Sequence, residues 1–130
     1  MKWFEFNQNN SGGSFDVDDK VCHRLFIEAE SFDDAVKKAE ELGCYWDGVD
    51  DGIDCPCCGD RWSKWNDDPV GIELYKTEGY KSFSYGTLYF NNIEEYAQFL
   101  ADKYGWTVPD GRIYYSDGNM KEIFSKRPRY

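Results

Sequence analysis

A chain of 130 residues has room for one domain with one modest core, and hydrophobic and aromatic contents of 41% and 18% argue against disorder. A formal charge of −10 disfavours non-specific binding to DNA or to an anionic membrane. No apolar run approaches the roughly 18 residues of a membrane span, and Met1-Lys2-Trp3-Phe4 lacks a signal-peptide pattern, so the expectation is a soluble intracellular protein.

Phe4 and Phe6 alternate with Trp3 and Glu5, which predicts a short strand. The polar, Gly-rich segment Asn7 to Ser14 follows, suited to a tight connection. Val21 to Ile27 predicts a second strand, with Val21, His23, Leu25 and Ile27 on one face and Cys22, Arg24 and Phe26 on the other. Ser31, with Asp34 in the capping-box position, opens a helix over 32–42. Phe32, Val36, Ala39 and Leu42 are its apolar stripe, and Gly43 ends it.

Residues 44–70 show no periodicity, and a loop that long is either functional or held together by something. Ile72 to Tyr75 and Phe83 to Phe90 read as strands. Asn92 and Glu95 cap a second helix over 93–104, lined by Ile93, Tyr96, Ala97 and Leu100 and stopped by Gly105. Ile113 to Tyr115, the turn Asp117-Gly118 and Met120 to Phe124 form a closing hairpin. The order predicts one α+β domain over 1–130, with a mostly antiparallel sheet, two packed helices and a long loop that a zinc ion would staple. The strand–helix starts at Ser31 and Asn92 echo each other, which ordinary capping chemistry explains.

Charge divides the chain. Residues 1–70 hold 17 acids and 7 bases, while 71–130 hold 8 of each. The second half (71–124) runs into a short basic tail (125–130). The acidic half suits a protein partner with a basic surface or mimicry of nucleic acid; the simpler reading of most of these acids is a solvated face.

Chemistry concentrates in Cys55-Pro56-Cys57-Cys58-Gly59-Asp60-Arg61-Trp62. Cys-Pro-x-Cys-Gly has the shape of a zinc knuckle, because two thiolates three residues apart around a turn can face one ion. A structural zinc takes four ligands. Cys55 and Cys58 would be joined by two of Cys22, His23 and Cys44, with Cys57 turned away. Against this, Cys22 and Cys44 also read as small core residues. Clustered thiols in an intracellular chain favour metal over disulfide.

A thiol enzyme would use Cys57 or Cys58 as nucleophile and His23, the single histidine, as base, but no orienting third group can be named. Trp46, Trp62, Trp65, Tyr45 and Arg61 could stack a nucleotide, although the same rings serve equally as a local core. The Asn7 to Ser14 loop matches neither phosphate-binding glycine motif, and the acids of Asp47 to Asp54 lack calcium-loop spacing.

The run Trp3-Phe4-Glu5-Phe6-Asn7-Gln8-Asn9-Asn10-Ser11-Gly12-Gly13-Ser14-Phe15, then Cys22-His23 and Phe26-Ile27-Glu28-Ala29, then Cys55-x-Cys57-Cys58-Gly59-Asp60-Arg61-Trp62, resembles a family of small uncharacterised tailed-phage proteins. The resemblance covers about the first half of the chain, or all of it. It implies a bacterial host cytoplasm and a small accessory role, and it transfers no catalytic residue. By analogy with small acidic phage proteins, the expected function is non-catalytic: binding and inhibiting a host protein, such as an anti-phage defence component. Sequestration of a signalling nucleotide is the alternative, and a thiol or metal-dependent enzyme the second. The expected contact residues are Asp50, Asp51, Asp54, Arg61, Trp62, Asn9 and Asn10, with Asp for steering and Trp62 as anchor.

Overall fold

The computed structural model describes residues 2–9, 15–53, 59, 61–62, 80–82, 86–88, 92–104 and 107–126. In chain order these form β1 (Lys2–Asn7), β2 (Arg24–Ala29), α1 (Phe32–Leu42), β3 (Tyr80–Ser82), β4 (Gly86–Leu88), α2 (Ile93–Tyr104), β5 (Gly111–Tyr114) and β6 (Met120–Ile123). Strands β1-β2-β5-β6 make a mixed sheet in that order, and β3-β4 make a separate pair. The β1–β2 and β5–β6 ladders are antiparallel and the central β2–β5 pair is parallel. This is the expected α+β fold.

Both helices start and stop for local reasons. Ser31 is extended and its hydroxyl accepts from Asp34 N at 3.2 Å. This satisfies an otherwise orphaned amide, and Asp33 and Asp34 sit at the positive end of the helix. Gly43 takes a left-handed φ of 118°, so its N–H turns back to Glu40 O (3.1 Å) and Cys44 N reaches Ala39 O (2.9 Å). In α2, Asn92 Oδ1 accepts from Glu95 N at 2.9 Å.

The helices pack on opposite faces of the sheet. Ala35, Ala39 and Leu42 of α1 share a core cluster with Phe4, Phe6, Leu25 and Ile27. Ile93, Tyr96, Ala97, Leu100 and Ala101 of α2 share another with Trp3, Phe26, Ile113 and Ile123. With a helix on each side, β2 is buried from Arg24 through Ile27, as parallel-paired central strands are. Phe26 is fully buried, and its ring leaves a Cβ at Gly111 only 3.3 Å of clearance. That close approach explains a glycine at the first residue of β5.

Two expectations change. β2 begins at Arg24 rather than Val21, because Val21–His23 form an irregular lead-in. Cys22 therefore joins Val21 and Leu25 in one cluster instead of lying on the opposite face. The region read as one strand over 83–90 contains part of a hairpin: Ser82 pairs with Gly86 and Tyr80 with Leu88. Residues 83–85 and 89–90, the expected strand 72–75, and the tail beyond Lys126 lie outside the described residues.

Candidate functional site

One end of the sheet concentrates the buried polar groups. It lies where β2 and β5 begin and β1 ends. Here run the lead-in to β2 (15–23), the segment before β5 (107–110), and Arg61-Trp62. Gln8, at the end of β1, is 4% exposed. Its Nε2 donates to Asp16 O and Cys22 O, each at 2.9 Å. Its Oε1 accepts from Asp16 N and from Arg61 Nη1, the latter at 3.0 Å. One amide thus uses its two donors and its acceptor oxygen to tie three segments together. The backbone repeats the tie: Gln8 N donates to His23 O (2.8 Å), Asn9 N donates to Arg61 O (2.7 Å), and Gln8 bridges Trp62.

Next to this clamp is a buried charge network. Asp110 is 0% exposed. Arg24 Nη1 donates to its Oδ2 at 2.5 Å, and His23 Nδ1 lies 3.2 Å from its Oδ1. A carboxylate this deep requires such partners. His23 N donates to Thr107 Oγ1 (3.3 Å), which donates to Pro109 O (2.7 Å), and the Phe15 ring packs 4.8 Å from the imidazole. Arg112 sends Nη1 to Val21 O (2.9 Å) and pairs with Glu122 at 3.2 Å. Arg61 Nε lies 3.3 Å from Asp16 Oδ2. Asp18 Oδ1 accepts from Val21 N and Lys20 N at 2.8 Å, and the Val21 bond leads in holding its carboxyl below the usual range.

Several sequence candidates meet at this end: Cys22, His23, Asn9, Arg61 and Trp62. Gly59, which follows the knuckle in sequence, is also here, and a Cβ on it would lie 3.7 Å from Asn9 Nδ2. Two of the stretches that carried the resemblance therefore meet in space here, at Gln8-Asn9 and at Gly59 and Arg61-Trp62. Trp62 is 1% exposed within the α1-side core. That corrects its reading as a surface anchor: its ring fills the core beyond the end of β1. Arg61 is likewise buried, on Gln8 and Asp16, rather than presented to a ligand. Trp46 and Tyr45 pack against the same core, with Trp46 5.9 Å from the Phe6 ring. The described members of the proposed stacking pocket are thus core rings.

Cys22 and Cys44 are buried free cysteines whose thiols burial pushes up to about 12. Cys22 Sγ donates to Arg24 O at 3.4 Å. Among the described residues no three His, Cys, Asp or Glu side chains converge as a metal site. Asn10, Asp54, Cys55, Cys57, Cys58 and Trp65 lie outside the described residues. Asp50 and Asp51 are exposed on the turn after α1, whose Ile53 N returns to Gly48 O at 2.8 Å.

The sequence reading did not single out Gln8, Asp16, Arg24, Thr107, Asp110 or Arg112. The available signal was a polar residue in an apolar alternation: Phe4, Phe6, Gln8 in β1, and a charged residue beside buried hydrophobics in Arg24-Leu25 and Arg112-Ile113.

The opposite end of the parallel pair is open. A groove of about 310 Å³ lies there, with Glu28, Glu30, Asp34, Lys38, Tyr114 and Tyr115 along it. Glu28 Oε1 accepts from Ser116 N (3.0 Å) and Ser116 Oγ (2.9 Å).

No helix among the described residues is long and apolar enough to cross a membrane. No curated protein and no solved structure matches the chain. The profile of one family matches residues 1–127, and the chain belongs to that family, described as Domain of unknown function (DUF7296).

Proposed function

We propose that this is a non-catalytic binding protein of phage origin that acts in the host bacterial cytoplasm by occupying a host protein with a basic surface, such as a defence component. The observation that carries this reading is the exposure of the acid excess. Asp18, Asp19, Glu30, Asp33, Asp34, Glu40, Glu41, Asp47, Asp50 and Asp51 are all solvent-facing. Two exposed aliphatic side chains, Val17 (42%) and Ile53 (64%), sit among these acids. Charge for steering beside apolar contact area is what a protein interface needs. The resemblance to small tailed-phage proteins supports the host setting.

The test is affinity capture from bacterial lysate, followed by titration of the purified partner. Binding should weaken with salt and with Asp50→Lys and Asp51→Lys. Binding indifferent to both would rule out the acidic surface as the contact.

We further propose that one zinc ion orders the long loop, with Cys55 and Cys58 as ligands. Elemental analysis of protein purified without chelator should give one zinc per chain, and Cys55→Ser should destabilise the fold because binding free energy at such a site is folding free energy. No bound metal in the folded chain would reduce the knuckle to a turn.

A thiol enzyme is the second reading, favoured by one observation. Asp110 on His23 Nδ1 supplies the orienting group that a Cys–His mechanism needs. Rapid alkylation of Cys57 or Cys58 that slows in His23→Ala would favour it.

A further inference from the structure

We propose that the groove at the carboxyl ends of β2 and β5 takes an arginine side chain of the basic partner; this deepens, and rests on, the reading of an acidic binding surface. Position is the first argument. In open sheets, ligands settle outside the carboxyl ends of parallel strands, where the connections part. Here β2 runs on into α1, which packs on one face, whereas β5 turns back into β6 within the sheet. The groove between these departures holds about 310 Å³, the small end of the range for ligand cavities, and so suits one side chain better than a large ligand.

Charge decides the sign of the occupant. Glu28, Glu30 and Asp34 line the groove against a single base, Lys38. Glu28 is set in place by Ser116, whose N–H and hydroxyl both donate to Oε1 at 3.0 and 2.9 Å, and no described residue pairs with Oε2. The carboxylates of Glu30 and Asp34 have no hydrogen-bond or ion partner among the described residues. Lys38 has the i,i+4 spacing of a helical ion pair with Asp34, yet its Nζ lies 4.0 Å from Glu41 Oε2 instead. The start of α1 would by itself favour an anion, but Ser31 Oγ already takes the Asp34 amide at 3.2 Å. Of the three acids, only Glu28 uses its carboxylate within the described fold, so the groove presents negative charge that the fold leaves available.

Shape selects arginine over lysine. Tyr114 and Tyr115 border the groove and are half-buried. Their hydroxyls are engaged elsewhere, Tyr114 donating to Lys20 O and Tyr115 to Glu94. Trp3 meets Tyr115 in a T-shaped contact, 5.5 Å between centroids, which holds that ring in place. What the tyrosines offer an occupant is therefore ring surface. A planar guanidinium stacks on such rings and forks onto carboxylates, whereas an ammonium is a strongly hydrated point charge.

The test titrates two capped tripeptides, acetyl-Gly-Arg-Gly-amide and acetyl-Gly-Lys-Gly-amide, into the isotope-labelled full chain, with amide and tyrosine-ring signals followed by NMR. The arginine peptide should move Glu28, Tyr115 and Ser116 saturably and bind tighter than the lysine peptide. Glu30→Gln combined with Asp34→Asn should weaken it about threefold to tenfold, the loss of two solvent-facing ion pairs. Both residues are exposed, so this variant keeps the fold and stays informative where a Glu28 variant might not. Shifts confined to other surfaces, equal affinity for the two peptides, or binding unchanged in the double variant overturns the assignment. The acidic-surface reading fails separately, through a host partner indifferent to salt and to Asp50→Lys and Asp51→Lys. A partner sensitive to those changes but not to the groove variant overturns the groove alone.

Discussion

The two ends of the central parallel pair β2–β5 are built in opposite ways. At the end where both strands begin, Gln8, His23, Arg24, Arg61, Asp110 and Arg112 are all buried, and their partners come from segments up to 91 residues apart in sequence. At the end where the strands finish, Glu28 is half-buried, and Glu30, Asp34 and Lys38 stand in solvent around an open groove. The contrast teaches where this chain uses charge for structure. Three non-repetitive segments must be held at the first end, and none has a helix or ladder of its own. Side chains supply the missing partners, and a low-dielectric surrounding makes each partner costly to remove. At the second end, a tight hairpin and a helix cap satisfy most of the backbone, and the one backbone bond a groove carboxylate makes there, Ser116 N to Glu28, lies near solvent, so its loss is less costly.

This comparison can be broken by substitution, and the largest effect belongs to Asp110. Asp110→Ala strands Arg24 and His23 in the interior and should cost about 3–5 kcal/mol in urea unfolding. Glu28→Ala at the other end loses two bonds near solvent and should cost about 1 kcal/mol. Equal costs would mean that the two ends do not differ as described.

Gln8→Ala is the next test. It leaves the Asp16 and Cys22 carbonyls and the Arg61 guanidinium short of partners, for about 1–3 kcal/mol per group left unsatisfied. It should also raise amide exchange at Asn9, whose N–H depends on the same pairing. A loss of stability with Asn9 exchange unchanged would show that the clamp does not organise this backbone.

A pH titration sharpens the same contrast on a smaller scale. Burial raises the Cys44 thiol from 9.0 to about 12. The unfolded chain ionises that thiol first, so its contribution to stability is fully present below pH 9.0 and is lost as pH climbs towards about 12. Metal-free protein should unfold more easily over that window, and Cys44→Ala should flatten the slope. An unchanged slope would place the alkaline sensitivity elsewhere.

Much of the fold was legible because its signals are local. The Ser31 and Asn92 caps, the Gly43 stop and the apolar stripes give both helices to within a residue, and alternation gives β1, most of β2 and the closing hairpin. The parallel pairing of β2 with β5 was not legible, since its register joins Arg24 to Gly111 with nothing local to announce it. The same distance hides His23–Asp110, which is why the sequence offered a lone histidine without an orienting group. Trp62 illustrates a different ambiguity. A tryptophan reads identically as anchor or as core, and only its burial in the α1-side cluster shows that its ring belongs with Phe6 and Leu25.

The central claim is that exposed acids of the first half, set on this internally pinned scaffold, make the contact with a basic partner. Of the three substitutions Asp50→Lys, Asp51→Lys and Asp54→Lys, the first two should leave stability within about 0.5 kcal/mol, since Asp50 and Asp51 face solvent. The decisive measurement is the association rate of the triple variant with the captured host partner, at low and at physiological salt. The account predicts association slowed at least about tenfold at low salt, a smaller difference once charges are screened beyond about 8 Å, and a dissociation rate little changed. An association rate equal to that of the unaltered chain at both salt concentrations would contradict it.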